Sequence, residues 1–179
     1  MMRNIGLAFI YSILPLSSAM TFAHAPTENI QQYISTQLNI VGQVKHDLHL
    51  EVSQLEHYPQ SIQNIHISKK NGEISENARY KGVRLTELLN AAQVTTTHHN
   101  DVKKMIIVAT AKDGYQVVFS WNELFNTAIG EGVLVIYQKD GQILDDRTGR
   151  IALISSRDHL TGPRFVKWLD EIRVVQLSY

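Results

Sequence analysis

The chain has 179 residues, with 17 Lys+Arg against 17 Asp+Glu, so it carries no net field that would draw nucleic acid or an anionic membrane. It contains no cysteine, which excludes disulfides, a thiolate nucleophile and a thiolate metal ligand.

Met1-Met2-Arg3, the apolar run Ile5 to Leu16 and the small residues of Ser17–Ala25 read in order as a secretory signal peptide over residues 1–25. Ala23-His24-Ala25 fits the cleavage pattern, but Pro26 just after it does not, so cuts after Ala19 or Ala23 also fit. The apolar run is too short for a comfortable membrane span; an uncleaved N-terminal anchor is the competing reading. Without the leader, about 155 residues (26–179) make a single exported domain, large enough for a core and with no direct membrane insertion.

Pro26–Gln37 is a polar lead-in, helical or loose. Leu38–Val44 and Leu48–Val52 alternate apolar and polar residues around Lys45-His46-Asp47, which predicts a hairpin. Ser53 and Glu56 have capping-box spacing and open a short helical turn that Pro59 closes. Ile62–Ser68 is another alternating strand, and Glu73–Lys81 reads as an irregular polar loop. Gly82 introduces an amphipathic helix over Val83–Ala92. Thr95–Asp101 is a polar loop. Lys104–Thr110 is the strongest central strand, and Asp113-Gly114 turns into a strand over Tyr115–Phe119.

Ser120 with Glu123 makes a second capping box, so Trp121–Ala128 should be helical and end at Gly130. Gly132–Gln138 is an apolar strand leading to a hairpin turn at Lys139-Asp140-Gly141-Gln142. Ile151–Ile154 and Ile172–Leu177 complete the sheet. The chain is one α+β domain, a mixed β-sheet core with a few short helices.

His46, His49, His57, His66, His98 and His99 invite a metal hypothesis. His46 and His49 straddle a turn, however, and His98-His99 are adjacent in a polar loop, so solvated surface is the better reading. Asp140, Asp145 and Asp146 miss the calcium-loop spacing. Ser155-Ser156 lacks elbow glycines, and no phosphate-binding glycine loop is present. Within Ile151–Val175, a buried-strand signal leads into a polar turn and then Gly162-Pro163-Arg164, Lys167 and Trp168. That cationic, partly aromatic turn suits a flat polar or anionic ligand; solvated charges beside a core tryptophan are the alternative.

Leu38-Asn-Ile-Val-Gly-Gln-Val44, Gly82-Val-Arg-Leu-Thr-Glu-Leu-Leu89, Asp113-Gly-Tyr115, Lys139-Asp-Gly141 and Gly162-x-Arg164-x-x-Lys167-Trp168-Leu169 occur in that order. The set resembles the molybdopterin-binding domain of the sulfite oxidase fold, from about Leu38 to Val175. In that family a cysteine at the end of the strand before the Gly-Val-x-Leu helix holds the molybdenum. The corresponding segment here, His66–Gly72, offers Ser68 or Lys69. The resemblance therefore implies a kept pterin pocket without a molybdenum centre. It is similar to the cysteine-less, periplasmic PruR-like branch, whose members bind pterins and report them to the periplasmic domain of an inner-membrane GGDEF/EAL protein, a cyclic di-GMP enzyme.

The resemblance implies a reduced pterin, such as a tetrahydropterin, as ligand and no redox cofactor. It carries Gly162, Arg164, Lys167 and Tyr115 over to the pocket. Trp121, Arg157, Asp158 and His159 are added on their chemistry and proximity to those motifs. A turn-stabilising role competes for Asp158, and a core role for Trp121 and Trp168. A molybdopterin-dependent oxidoreductase with atypical metal ligation and a ligand-free docking module are the alternative functions.

Overall fold

Among the described residues the strands form two sheets, antiparallel throughout except where Gln37–Gly42 runs parallel to Leu169–Gln176. The computed structural model describes residues 29–69 and 71–178; the expected leader lies outside them. The first sheet has the order β2-β1-β10-β5-β6. Its strands are β1 (Gln37–Gly42), β2 (Leu48–Glu51), β5 (Met105–Ala111), β6 (Gln116–Ser120) and β10 (Leu169–Gln176). The second is built on β3 (Gln60–Ser68), β4 (Ile74–Arg84) and β7 (Val133–Lys139), with β8 (Gln142–Ile143) and β9 (Ala152–Ser155) both paired to β7.

Alternation sets the core. Leu38 and Ile40 of β1, Ile107 and Ala109 of β5, and Ile172 and Val174 of β10 meet Val133, Val135 and Tyr137 of β7 in the main cluster. Leu134 and Ile136 point the other way, into a second cluster with Ile65, Ile67, Ala78, Tyr80 and Ile154. This is why Gly132–Gln138 reads as an unbroken apolar run: β7 is covered on both faces. Where β4 crosses β7 the ladder shifts between Lys81 and Gly82. A Cβ on Gly82 would lie 2.2 Å from the Val135 carbonyl oxygen, so only glycine permits that approach.

Several local expectations need correction. Glu73–Lys81 is mostly strand, not loop: β4 is 11 residues long and pairs with β3 from Gln60↔Val83 to Ser68↔Ile74. Its inward residues before the shift are few, Ala78 and Tyr80, so its own apolar period is weak and the partner strand decides. Val83 accordingly belongs to β4, and the helix α2 spans Leu85–Ala92. The first capping box is Glu51 with Gln54, opening α1 (Val52–Leu55), not Ser53 with Glu56.

The Ser120–Glu123 box does open α3 (Trp121–Asn126), but Thr127 turns extended and a 3-10 turn follows over Ala128–Gly132. The hairpin at Asp140-Gly141 has φ of 50° and 81°, the primed turn that matches strand twist. Trp168 is half-buried rather than core, with φ of 50°. It packs on Tyr33 at 5.6 Å and donates its indole N–H to the Asp146 carbonyl at 2.8 Å.

Candidate ligand-binding cleft

The free side of β3 ends at Ser68, which is buried. A sheet edge left unpaired there would strand polar backbone groups. Thr161, 93 residues away, supplies the partners. Its hydroxyl accepts from the Ser68 N–H at 2.9 Å and donates to the His66 carbonyl at 2.7 Å. Its own N–H donates to Ser68 Oγ at 3.1 Å. One threonine thus replaces a missing strand and seals β3 to the segment after β9.

Gly162 follows at once. A Cβ there would come within 2.3 Å of the Ser68 carbonyl oxygen, so the close approach requires glycine. Pro163 then sits second in a 3-10 turn over Gly162–Arg164, where its fixed φ suits the start of a helix. On the opposing side, Asp113 accepts the Tyr115 N–H at 2.9 Å and shapes the turn into β6. Tyr115 reaches back across and donates its hydroxyl to the Pro163 carbonyl at 2.6 Å.

Between these surfaces lies a cleft of about 590 Å³. Ile67, Ser68 and Lys69 line it from the end of β3, Tyr115 from the β6 side, and Gly162, Phe165 and Lys167 from the turn. Its volume falls within the range of small-molecule sites. A smaller hollow of about 160 Å³ adjoins it, sharing Tyr115, Phe165 and Lys167 and adding Asp113 and Trp168. Among the described residues, the only charged side chains lining the larger cleft are Lys69 and Lys167. Lys69 binds Glu73 at 3.1 Å in the open, a pair worth little. The Lys167 ammonium sits 5.7 Å from the centre of the Phe165 ring. The cleft therefore offers two aromatic rings under a cationic rim.

Three of the eight expected ligand residues, Tyr115, Gly162 and Lys167, line this cleft together. Arg164 does not. Its Nε is 2.5 Å from Asp158 Oδ2 and its Nη1 is 2.8 Å from Glu123 Oε1, while the guanidinium lies 4.5 Å over the Phe119 ring. Burial pulls the Arg164 pKa down, but the hydrogen bonds it donates to the Asp158 and Glu123 carboxylates outweigh this and hold it above its ordinary value. The arginine is a tie between turn and helix, not an open anion hook. Asp158 also accepts from Ser155 Oγ at 2.7 Å.

Asp158 and His159 line a separate cavity of about 370 Å³, which shares only Ser68 with the main cleft. Arg157 is exposed and engaged with Glu131 at 2.5 Å and the Ala128 carbonyl at 3.0 Å. Trp121 stacks on Phe125 at 3.9 Å and 18°, against the main core. Six further residues line the cleft, and two of them show what a sequence reading can miss. Phe165 stands inside the Gly162–Leu169 motif and could have been read from it. Ser75 carries no signal, because the polar first half of β4 reads as loop.

The oxidoreductase molybdopterin-binding domain model matches residues 24–178 of this chain. Among solved structures, the sulfane dehydrogenase SoxCD from Paracoccus pantotrophus is similar, with a TM-score of 0.59 at 17% sequence identity, over 77% of this chain and 37% of that one. At that identity the likeness is one of fold alone, and this chain spans little more than a third of that chain's length. No curated protein matches it in sequence.

The resemblance makes a cysteine thiolate, a soft anionic donor, the expected protein ligand of molybdenum. The cleft presents the hydroxyls of Ser68 and Ser75 and two ammonium groups, and the chain has no thiol anywhere. Ser68 Oγ is moreover occupied by the Thr161 N–H. Among the described residues no group of three or more His, Asp or Glu side chains could hold a metal ion. This donor set lacks the thiolate that the resemblance leads one to expect. The aromatic, cation-rimmed walls do fit a flat polar ring.

Proposed function

We propose, for a chain that belongs to the oxidoreductase molybdopterin-binding domain family, that the cleft binds a pterin as a free ligand and carries out no redox reaction. One observation carries this reading. The cleft stays open at about 590 Å³ with Tyr115 and Phe165 on its walls, in a chain with no cysteine to anchor the metal. Stacking on those rings contributes roughly 0.5–1.5 kcal/mol beyond burial. Lys167 supplies a donor to the ring's carbonyl edge or to an anionic substituent.

The same reading makes the protein an exported sensor. A reduced pterin fills the cleft in the periplasm, and the filled form reports to the periplasmic domain of an inner-membrane GGDEF/EAL protein. The leader-like first 25 residues and the likeness to the PruR-like branch support it. The partner must bind the filled and empty forms unequally, since a ligand shifts an equilibrium only through differential affinity.

Isothermal titration with a tetrahydropterin tests the ligand. Saturable heat is expected; none at high micromolar pterin overturns the reading. Stoichiometric molybdenum in protein purified from its own periplasm would overturn it equally.

A further inference from the structure

We propose that the hollow of about 160 Å³ beside the cleft receives the side chain of the bound pterin, and that this side chain is a polyol. This assignment rests on the pterin reading and narrows it to one class of ligand.

Size separates the two spaces. The cleft, at about 590 Å³, can hold a whole ligand, while the hollow falls below the range of sites that hold one alone. The two share Tyr115, Gly162, Phe165 and Lys167, so a molecule bound in one continues into the other. A flat ring against Tyr115 and Phe165 therefore leaves the hollow to whatever the ring carries.

Trp168 marks the hollow as a built site. A bulky residue with a φ of 50° is a backbone outlier, and such outliers persist only where their surroundings fix them. Here they do. The Trp168 N–H donates to the Thr148 carbonyl at 2.8 Å, and its carbonyl accepts the Lys112 N–H at 3.0 Å. Its indole N–H is held by the Asp146 carbonyl and its ring by Tyr33. Gly149 comes so close that an added Cβ there would lie 2.8 Å from the Trp168 Cα. Just beyond, the β10 ladder shifts register between Leu169 and Glu171, a break of the kind that re-aims side chains at sites. With each of its polar groups engaged, Trp168 offers the hollow only apolar ring surface.

Charge then selects the side chain. Among the described residues the hollow has one carboxylate, Asp113, and one ammonium, Lys167. Asp113 is exposed and accepts the Tyr115 N–H through Oδ1, and a carboxylate has acceptor capacity left for a ligand. A carboxylate only accepts and an ammonium only donates, whereas a hydroxyl does both. A short run of hydroxyls meets both groups at once, with its carbons against the rings of Trp168 and Phe165. A charged side chain of either sign would face a like charge, and an apolar one would displace water from both groups without replacing its hydrogen bonds.

Titration with three tetrahydropterins, carrying a methyl, a trihydroxypropyl or a carboxyl group at the same ring carbon, tests the assignment. The wild-type protein should bind the trihydroxypropyl compound at least ~10-fold more tightly than the methyl compound, the effect of a hydrogen bond to a charged group. Asp113→Asn keeps an oxygen for the Tyr115 N–H but loses the carboxylate. Its preference should drop below ~3-fold while the methyl compound binds as before. Trp168→Gly, which tolerates the same φ, should lose the preference in the same way. Failure of all three compounds to bind overturns the pterin reading and the polyol subsite with it. Equal binding of the methyl and trihydroxypropyl compounds, a preference that survives Asp113→Asn, or tightest binding of the carboxyl compound leaves the pterin reading standing and overturns the polyol subsite alone.

Discussion

Arg164 and Asp158 hold each other through two hydrogen bonds, with Arg164 Nε 2.5 Å from Asp158 Oδ2, and Glu123 shares the guanidinium from α3. The three side chains are between 11% and 25% exposed, so little water replaces a lost partner. Truncating one member leaves a poorly solvated charge. Asp158→Ala should cost roughly 2–3 kcal/mol in denaturant unfolding, below the full price of a deeply buried pair. Pterin affinity should change little, because Asp158 does not line the main cleft. A large affinity loss with unchanged stability would place Asp158 at the ligand instead.

Gly162→Ala strikes the seam between β3 and the turn. The added methyl would meet the Ser68 carbonyl oxygen at 2.3 Å, and the atoms nearest it are all Ser68–Lys69 backbone, with no flexible side chain to give way. The turn must move away, and the Thr161–Ser68 hydrogen bonds must lengthen with it. A destabilisation of about 1–3 kcal/mol is expected, the usual cost of overpacking. Hydrogen exchange should show the Ser68 amide, now bound to Thr161 Oγ1 at 2.9 Å, losing protection ahead of the β7 amides.

Tyr115 offers a ring and a hydroxyl that can be separated. Tyr115→Phe keeps the ring but removes the bond to the Pro163 carbonyl, so any loss of pterin affinity measures that clasp. Tyr115→Ala removes the stacking face as well and should weaken binding further, by about 0.5–1.5 kcal/mol. Tyr115 is 44% exposed, so both variants should fold with nearly unchanged stability. Equal affinities for wild type and Tyr115→Ala would mean that the pterin sits elsewhere.

These contrasts show what a linear reading can reach. The resemblance assigned Gly162 and Lys167 to the pocket, and both line the cleft on one local turn punctuated by glycine and proline. The strands with strong alternation or unbroken apolar runs, β5 and β7, were legible for the same reason. Arg164 carries a signal that looks identical from the sequence whether it meets a ligand or a carboxylate. Its partner Glu123 lies 41 residues away, and only the packing of α3 on the turn decides the matter. Thr161 shows the limit more sharply. Nothing in a threonine before Gly-Pro announces that it closes a sheet edge 93 residues upstream. β4 stayed hidden because polar residues fill its first half, and its strand character comes from pairing with β3.

Two buried phenols should set the alkaline limit of the fold. Burial, reinforced by the nearby charge of Glu56, raises the Tyr137 pKa from 10.0 to about 12. Burial and then the hydrogen bond to Glu76 raise Tyr80 in the same direction. A folded-state pKa above the unfolded value means that the folded form binds the proton more tightly. That contribution is fully present below pH 10 and drains away as pH rises through about 12. Denaturant midpoints should therefore fall steadily across that window. The tyrosinate absorbance of two of the seven tyrosines should rise only together with loss of circular dichroism. Tyr137→Phe gives up the hydrogen bond to Gln60 and should be less stable at pH 7, but its stability should fall less steeply between pH 10 and 12. An alkaline slope identical in wild type and Tyr137→Phe would show that this phenol does not govern the transition.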